Sequence, residues 1–408
     1  MSKNIHSINS TCCIAGGGPA GVMLGYLLAR AGIDVVVLEK HSDFFRDFRG
    51  DTVHPSTLRV IDELGLLDSF LQQPHQKISK VSMDLFGRMI TVGDLSSLNI
   101  KTPYIAMMPQ WNFLNFIVSE AKKISHFKIM MQAECIDLVI DNNQVTGCIV
   151  KTPSGLQQIN SVLLVGADGR HSTVRKKAEL TVHNIGVAID ALWFRLSRKL
   201  GDPNEIFANV RPGNLMVMIN RDEYWQCAYI IPKGSLQQLH KDGLEQFQNT
   251  IKNNQPWLKD RVAELNSWDD VKLLEVQVNR LEKWYRQGLL CIGDAAHAMS
   301  PVGGVGINLA IQDAVSASNL ISADLKNNKI SEKTLQAVQQ RRTFPTVMTQ
   351  RMQILMHKNL IEKTLNQSKN FKLPMIIRLL STFPFLSKVI GYIMGIGFRP
   401  EHIKTNSN

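Results

Sequence analysis

Residues 11–40, TCCIAGGGPAGVMLGYLLARAGIDVVVLEK, decide the fold. Residues 11–15 are an apolar run of strand length, residues 16–21 are rich in glycine, and residues 22–31 carry apolar side chains at helical spacing up to Gly32. Strand, glycine turn and helix in that order make a phosphate cradle. The glycines allow a tight turn and let a pyrophosphate approach backbone N–H groups at the helix N-terminus, where the dipole favours an anion. Gly16, Gly18 and Gly21 fill the three glycine places, with Pro19 and Ala20 between the last two. A second strand, residues 34–38, ends at Glu39, eighteen positions beyond Gly21 and placed to bond a ribose hydroxyl pair; Lys40 follows it. A bare GxGxxG is weak evidence. With strand, helix and terminal acid in register, it points to a dinucleotide, NAD or FAD, over a merely structural glycine turn.

Working outward, residues 128–165 read as short strands with turn signals at Asn142-Asn143 and Pro153-Ser154-Gly155, a hairpin-rich insertion in place of another βαβ unit. It ends in Gly166-Ala167-Asp168-Gly169. Residues 289–292 form an apolar strand running into Gly293-Asp294, then Pro301-Val302-Gly303-Gly304-Val305-Gly306-Ile307-Asn308 and an apolar helical run to about Ile321. An acid directly after a buried strand, followed by glycines opening a helix, can hold a ribityl hydroxyl while helix amides face a second phosphate or a flavin ring.

The rest of the chain bounds the answer. Its 408 residues exceed one compact core of ordinary size, so two closely joined domains are expected. Hydrophobic residues at 44% and charged residues at 20%, without a low-complexity tract, place it among folded globular proteins. The formal charge is +11, and residues 341–408 hold eleven Lys/Arg against Glu362 and Glu401, so +9 sits in the tail. The nearly neutral body argues against a nucleic-acid partner. Six cysteines without a CxxC pair read as buried reduced thiols, and the N-terminus lacks the apolar stretch of a secretory signal, which together predict a cytoplasmic protein. No HExxH, Cys/His cluster or GxSxG elbow occurs, so metal and serine-hydrolase classes drop out and no metal is expected.

Taken together, the glycine turn at 16–21, Asp168-Gly169 and Gly293-Asp294 resemble the FAD-dependent aromatic hydroxylases, single-component flavoprotein monooxygenases that include para-hydroxybenzoate hydroxylase and the ubiquinone-pathway hydroxylases. The resemblance covers about residues 11–345. It implies an α/β fold: an FAD-binding domain with a parallel sheet (a glutathione-reductase-like Rossmann variant) from residues 1–72, 105–181 and 276–345, an inserted mixed-sheet substrate domain from 73–104 and 182–275, and a C-terminal helical segment, 346–408. It further implies FAD as cofactor, NADPH or NADH as transient electron donor despite the single GxGxxG, dioxygen as co-substrate, and hydroxylation of an aromatic or polycyclic, lipophilic small molecule. Arg49, with Arg46 as a nearby competitor, stands where the family places an arginine that reaches the cofactor. Gln110 matches a family residue near the ribityl chain, and Pro301 a proline beside the ring. Cofactor contacts are thus expected at Gly16, Gly18, Pro19, Ala20, Gly21, Glu39, Lys40, Arg49, Gln110, Asp168, Gly293, Asp294, Pro301, Gly304, Gly306, Ile307 and Asn308.

The substrate side is less legible. Residues 188–198, 215–220 and 224–232 alternate as strands do, and Trp193, Arg195, Met216, Met218 and Tyr229 are candidates for a pocket wall, with packing between sheet and FAD domain as the alternative. His54 and His297 read as structural hydrogen-bonders, and no catalytic acid or base is assigned. The segment CAYIIP at 227–232 lacks both tryptophans of the WxWxIP motif of the related halogenases. Two readings stay beside the hydroxylase: an FAD-dependent reductase of a polyprenyl or quinone-like substrate, and a non-catalytic flavin-bound membrane-associated protein. The tail, LPMIIRLLSTFPFLSKVIGYIMGIGF at 373–398, broken at Pro384, reads either as amphipathic helices on the inner membrane face, through Arg378, Lys388, Arg399 and Lys404, or as a packed helical cap.

Overall fold

The computed structural model describes residues 6–45, 52–85, 87–202, 207–365, 383 and 385–404. The opening unit forms as β1 (His6–Ala15), α1 (Pro19–Arg30) and β2 (Val35–Glu39). β1 begins at His6, ahead of the apolar run. Its polar first half pairs only with β11 (Gly155–Gly166), and its apolar second half, Cys12 to Ala15, lies between β11 and β2. Parallel pairing continues from β2 to β8 (Phe127–Met131) on one side and from β11 to β20 (Leu289–Cys291) on the other, with β19 (Tyr285–Arg286) antiparallel at the edge. Cys12, Val36, Leu164 and Leu290 are fully buried, which is why these strands are unbroken apolar runs without alternation.

β9 (Glu134–Asp141) and β10 (Gln144–Thr152) add an antiparallel extension to β11. Their two-residue turn sets Asn142 and Asn143 at φ of 46° and 64°, the left-handed pair such a hairpin requires and asparagine tolerates. α1 packs against α4 (Gln110–Ala121) and α8 (Gly306–Lys326). The remaining small elements of this half are α2 (Pro55–Glu63), α3 (Leu67–Phe70), α5 (Thr173–Lys177), the pair β12 (Val182–Asn184) and β18 (Asn279–Leu281), and a three-stranded sheet of β3 (Thr52–Val53), β7 (Ile105–Met107) and β4 (Gln76–Ile78).

A seven-stranded sheet lies beside this unit in the order β17 (Lys272–Leu274), β13 (Ile189–Ser197), β16 (Tyr224–Pro232), β15 (Asn214–Asn220), β14 (Phe207–Arg211), β5 (Lys80–Leu85) and β6 (Arg88–Asp94). Its period-two alternation sorts side chains to two faces. Leu192, Phe194, Met216, Met218 and Tyr229 pack outward on Phe247 and Ile251 of α7 (Leu244–Asn254), which follows α6 (Leu236–Asp242). Ala191, Trp193, Leu215, Val217 and Ile230 turn the other way, toward Val302 and Ile361.

The long helix α9 (Glu332–Met356) runs straight through the buried Pro345, so the expected boundary at 345/346 falls inside a helix. It continues as a π-helical turn, His357–Ile361, and α10 (Glu362–Leu365). The first half of the apolar tail run lies outside the described residues. The second half is α11 (Phe385–Gly395), which packs on β6: a Cβ on Gly391 would lie 2.2 Å from the Asp94 carbonyl oxygen, and one on Gly93 would lie 3.2 Å from the Met394 sulfur. α11 thereby covers an otherwise open sheet edge. Among the described residues no helix is long and apolar enough to cross a membrane.

Candidate active site

The glycine turn is dictated by what surrounds it. Gly16 has φ of 112°, and a Cβ there would lie 2.3 Å from the Ala167 carbonyl oxygen; on Gly21 it would lie 2.0 Å from the Gly16 carbonyl oxygen. Both positions are closed to any other residue. Gly18 differs: a Cβ there meets no heavy atom within 4 Å, so the space in front of the N-terminus of α1 is open. Gly18 is the N-cap, Pro19 opens the helix, and its first turn carries no acid, which leaves the amides and the positive dipole end available to a phosphate. Glu39 reaches back to this turn, its carboxylate accepting from the amides of Gly17 (3.2 Å) and His41 (3.0 Å). Lys40 beside it is exposed.

The other two motifs close on the same place. Ala167 donates its amide to Ala15 O at 2.7 Å, bringing Asp168 to the end of β1. One Asp168 oxygen accepts from the amide of Val174 (3.1 Å), while Oδ1 is buried without a hydrogen-bond partner. Burial pushes this carboxyl above its ordinary value, opposed by hydrogen bonds from Ser172 and Val174. Gly293, at φ of 59°, stands where a Cβ would lie 3.1 Å from Cβ of Ala20 in α1, so Asp294 sits beside the glycine turn and half-buried. Arg175 bridges the two acidic motifs by donating to the carbonyls of Arg170 and Ala295. These observations fit a dinucleotide: open space at Gly18, unblocked amides, and an orphaned carboxylate oxygen at Asp168.

The segment from Pro301 to Asn308 forms the adjoining wall. Gly304, at φ of 63°, lies against Thr52, and its carbonyl accepts from Thr52 Oγ1 (2.7 Å). Gly306 and Ile307 open α8. The Asn308 side-chain oxygen accepts from Ser56 (2.6 Å) and Thr57 (2.7 Å), so this side chain fixes α2. Pro301 is exposed, and Gln110 is half-buried at the start of α4. Arg49 and Arg46 lie outside the described residues.

Of the five substrate-side candidates the sheet divides two from three. Met216, Met218 and Tyr229 belong to the outward core on Phe247, on the face away from Val302, which corrects the expectation that they line a pocket. The reason is pleat parity: these residues share the strand face of Leu192 and Phe194, and Tyr229 also places its hydroxyl 2.7 Å from Asn214 Nδ2. Trp193 and Arg195 are on the inner side; Trp193 packs with Val217 and Ile219, and Arg195 stacks 4.7 Å over the Tyr224 ring.

Both histidines are structural. His54 is fully buried between two carbonyls, Nδ1 at 2.8 Å from Met394 O and Nε2 at 3.1 Å from Gly304 O, and burial lowers its pKa to about 4 although the carbonyls favour the charged form. His297 Nε2 lies 2.5 Å from Asp313, whose carboxylate also accepts from the Gly293 amide (3.0 Å) and Arg342 Nε (2.8 Å). Burial alone would raise the Asp313 pKa, but His297 and Arg342 outweigh it and hold it below the ordinary value. Arg342 continues to Glu401 at 3.4 Å.

Asp313 and Arg342 were not legible in the sequence, nor were the other members of a buried polar face on α9. Gln350 donates to the carbonyls of Asn279 and Ala298; Gln353 accepts from the Ser300 amide and donates to the carbonyls of Ser300 and Val302; His357 Nε2 lies 2.8 Å from Ser300 Oγ. Together they clasp residues 298–302. The one available signal was a 3–4 spacing of polar residues, which ordinarily marks a solvated helix face.

The family model "FAD binding domain" matches residues 9–352. The chain therefore belongs to the FAD binding domain family and is an FAD-dependent oxidoreductase of the monooxygenase class. It is 31% identical over 346 residues to 6-methylpretetramide 4-monooxygenase of Streptomyces rimosus, covering 84% of this chain and 82% of that protein. Identity to para-nitrophenol 4-monooxygenase of Pseudomonas sp. (strain WBC-3) is 25% over 341 residues, 81% and 82% of the two chains. The fold is shared with PqsL of Pseudomonas aeruginosa, described as a probable FAD-dependent monooxygenase: TM-score 0.73, 19% identity, 88% of this chain and 97% of that one.

Proposed function

We propose that the protein hydroxylates an aromatic or polycyclic, lipophilic small molecule with FAD, dioxygen and electrons from NADH or NADPH, in the cytoplasm or at the inner membrane face. The observation that supports this reading best is the apolar inner face of the seven-stranded sheet, where Trp193 and Val217 belong to the same cluster as Val302 of the 301–304 segment. Such a wall holds a flat apolar ring and excludes water, and it presents no nucleophile or metal set of its own. The reading takes the three segments 1–72, 105–181 and 276–345 as the FAD-binding domain, and 73–104 with 182–275 as the substrate domain.

When bound, FAD supplies the activation of dioxygen and the transfer of one oxygen atom. The chain supplies placement. The amides at Gly18, Ala20 and Gly21 face the pyrophosphate, with Pro19, which has no N–H, opening the helix between them; Glu39 and Lys40 flank the adenosine ribose, and Asp168 with Asp294 accepts ribityl or ribose hydroxyls. Arg49 and Gln110 act at the ribityl side. Gly304, Gly306, Ile307 and Asn308 present backbone along the ring with Pro301 at its edge, and Trp193 and Arg195 border the substrate. Relatives acting on 6-methylpretetramide and para-nitrophenol support an aromatic substrate. No observation favours the reductase or the non-catalytic reading.

The test is a panel of simple phenols, naphthols and fused-ring polyphenols screened for ligand-stimulated NADH and NADPH oxidation by the FAD-loaded protein. A hit is then repeated under labelled dioxygen. One labelled oxygen atom in the product is expected; a product that forms without oxygen, or takes its label from water, overturns the reading.

A further inference from the structure

α11 is built inside out for a surface helix. Its small residues Ser387, Gly391 and Gly395 are buried, Gly391 against Asp94 of β6 and Gly395 against Leu95 beyond it, while three of its large residues point away from the body. Phe385, Val389 and Tyr392, at positions i, i+4 and i+7, are 59%, 50% and 52% exposed. The inward face is explained by packing, since Gly391 and Gly395 approach Asp94 and Leu95 too closely for a side chain. Packing does not explain the outward face.

α9 lies alongside, Pro345, Thr349 and Met352 sharing one cleft with Ile393 and Met394. Its own outward line repeats the pattern: Phe344 and Leu355 are exposed, interleaved with exposed Arg351, and Lys358 continues the line in the π turn. No acid occurs from Phe344 to Met356 or on α11, whose single charge is the exposed Lys388 near Asp94 of β6, and the first acid along the α9 line is the half-buried Glu362.

We propose that the outward faces of α9 and α11 rest on an anionic lipid bilayer, with Phe385, Val389, Tyr392 and Leu355 entering the interface and Arg351, Lys358 and Lys388 meeting the headgroups. Charge decides against a second copy of the chain as occupant, because a two-fold interface would set this predominantly basic face against itself. Aromatic and aliphatic side chains among lysine and arginine suit the bilayer interface, where each basic residue near an anionic surface multiplies partitioning by about fivefold and salt weakens the attraction. The contact would place the bilayer against an element joined to the flavin-side wall, since His54 links Met394 of α11 to Gly304. The inference stands on the surface alone and does not depend on the hydroxylase reading.

Full-length protein carrying its FAD is sedimented with vesicles of phosphatidylcholine alone and of phosphatidylcholine mixed with phosphatidylglycerol. Partitioning into the mixed vesicles, decreasing with salt, is expected. The variant Phe385→Ser/Val389→Ser/Tyr392→Ser should lose at least about tenfold of it, and so should Arg351→Glu/Lys358→Glu/Lys388→Gln. Both sets alter exposed side chains, so FAD content and the unfolding midpoint should be unchanged, which separates lost docking from lost folding. Wild-type protein that ignores the anionic vesicles overturns the proposal. So does binding that both variants retain, or light scattering that shows a dimer dissociated by the apolar variant. Absence of FAD from the wild-type protein would sink the hydroxylase reading and leave the vesicle result to stand by itself.

Discussion

The glycine turn at residues 16–21 and the polar face of α9 serve the same site by opposite routes. The turn is contiguous: it is the work of six neighbouring residues, Gly21 answering to the Gly16 carbonyl and Gly18 to open space, with only Gly16 and Gly17 set against distant partners, the Ala167 carbonyl and Glu39. The α9 face is assembled from afar. Arg342, Gln350, Gln353 and His357 act on Asp313, on the Asn279 and Ala298 carbonyls and on Ser300, more than twenty-five positions away in every case. A site made of local backbone is written where it acts, whereas a site made of packed side chains is written only in the partner it happens to meet.

The comparison breaks first, and hardest, on the glycines themselves. Gly21→Ala should prevent the native turn, since its Cβ would overlap the Gly16 carbonyl, and the expected outcome is insoluble or molten protein without flavin. Gly18→Val meets open space on the protein side, so the chain should fold while the valine blocks the pyrophosphate. Soluble, cooperatively unfolding protein without bound FAD is the expected result for that variant, read by circular dichroism and the visible spectrum. A Gly18→Val protein that stays yellow would show that the phosphate does not lie there.

That contrast also explains what the sequence made legible. The β1–α1–β2 unit, the Asn142-Asn143 hairpin and the strands at 189–197, 214–220 and 224–232 were all readable because period, turn residues and capping act within a few positions. Parity was not. Alternation shows that Met216 and Trp193 lie on defined strand faces but not which face meets the flavin side, and that was decided by where Val302 and Phe247 arrive. For α9, Pro345 read as an end but lies buried inside the helix, and its polar stripe, of a kind that ordinarily marks a solvated face, is buried too.

A second, smaller effect is expected on the distant network. Asp313→Ala leaves Arg342 and His297 buried without their carboxylate, a loss of roughly 3 to 5 kcal/mol for breaking a buried ion pair. Arg342→Met should cost less than Asp313→Ala, because Asp313 keeps His297 and the Gly293 amide. Urea midpoints of the flavin-loaded proteins check the order. If Asp313→Ala is as stable as the wild type, the network does not hold the Gly293-Asp294 motif in place.

The smallest expected effect per residue is a pH dependence carried by the α9 and α11 side of the site. His54, between the carbonyls of Met394 and Gly304, and His357, against Ser300, both have pKa values lowered by burial to about 4 from an ordinary 6.5. In the folded protein they stay neutral where the unfolded chain already binds protons. Stability from this source is therefore full above pH 6.5 and declines as the pH falls toward 4, by about 2 kcal/mol per histidine at pH 5. Asp313, held below its ordinary 3.8, adds its own loss only at lower pH, as protonation removes the partner of Arg342 and His297. Chemical denaturation at pH 7 and pH 5 should show the decline in the wild type and about half of it in His54→Gln, whose amide can donate to one of the two carbonyls without titrating. The double variant His54→Gln/His357→Gln should be nearly flat across the interval. An undiminished decline in the double variant would place the acid sensitivity elsewhere and remove the distinction between a pH-indifferent glycine turn and a titrating helix face.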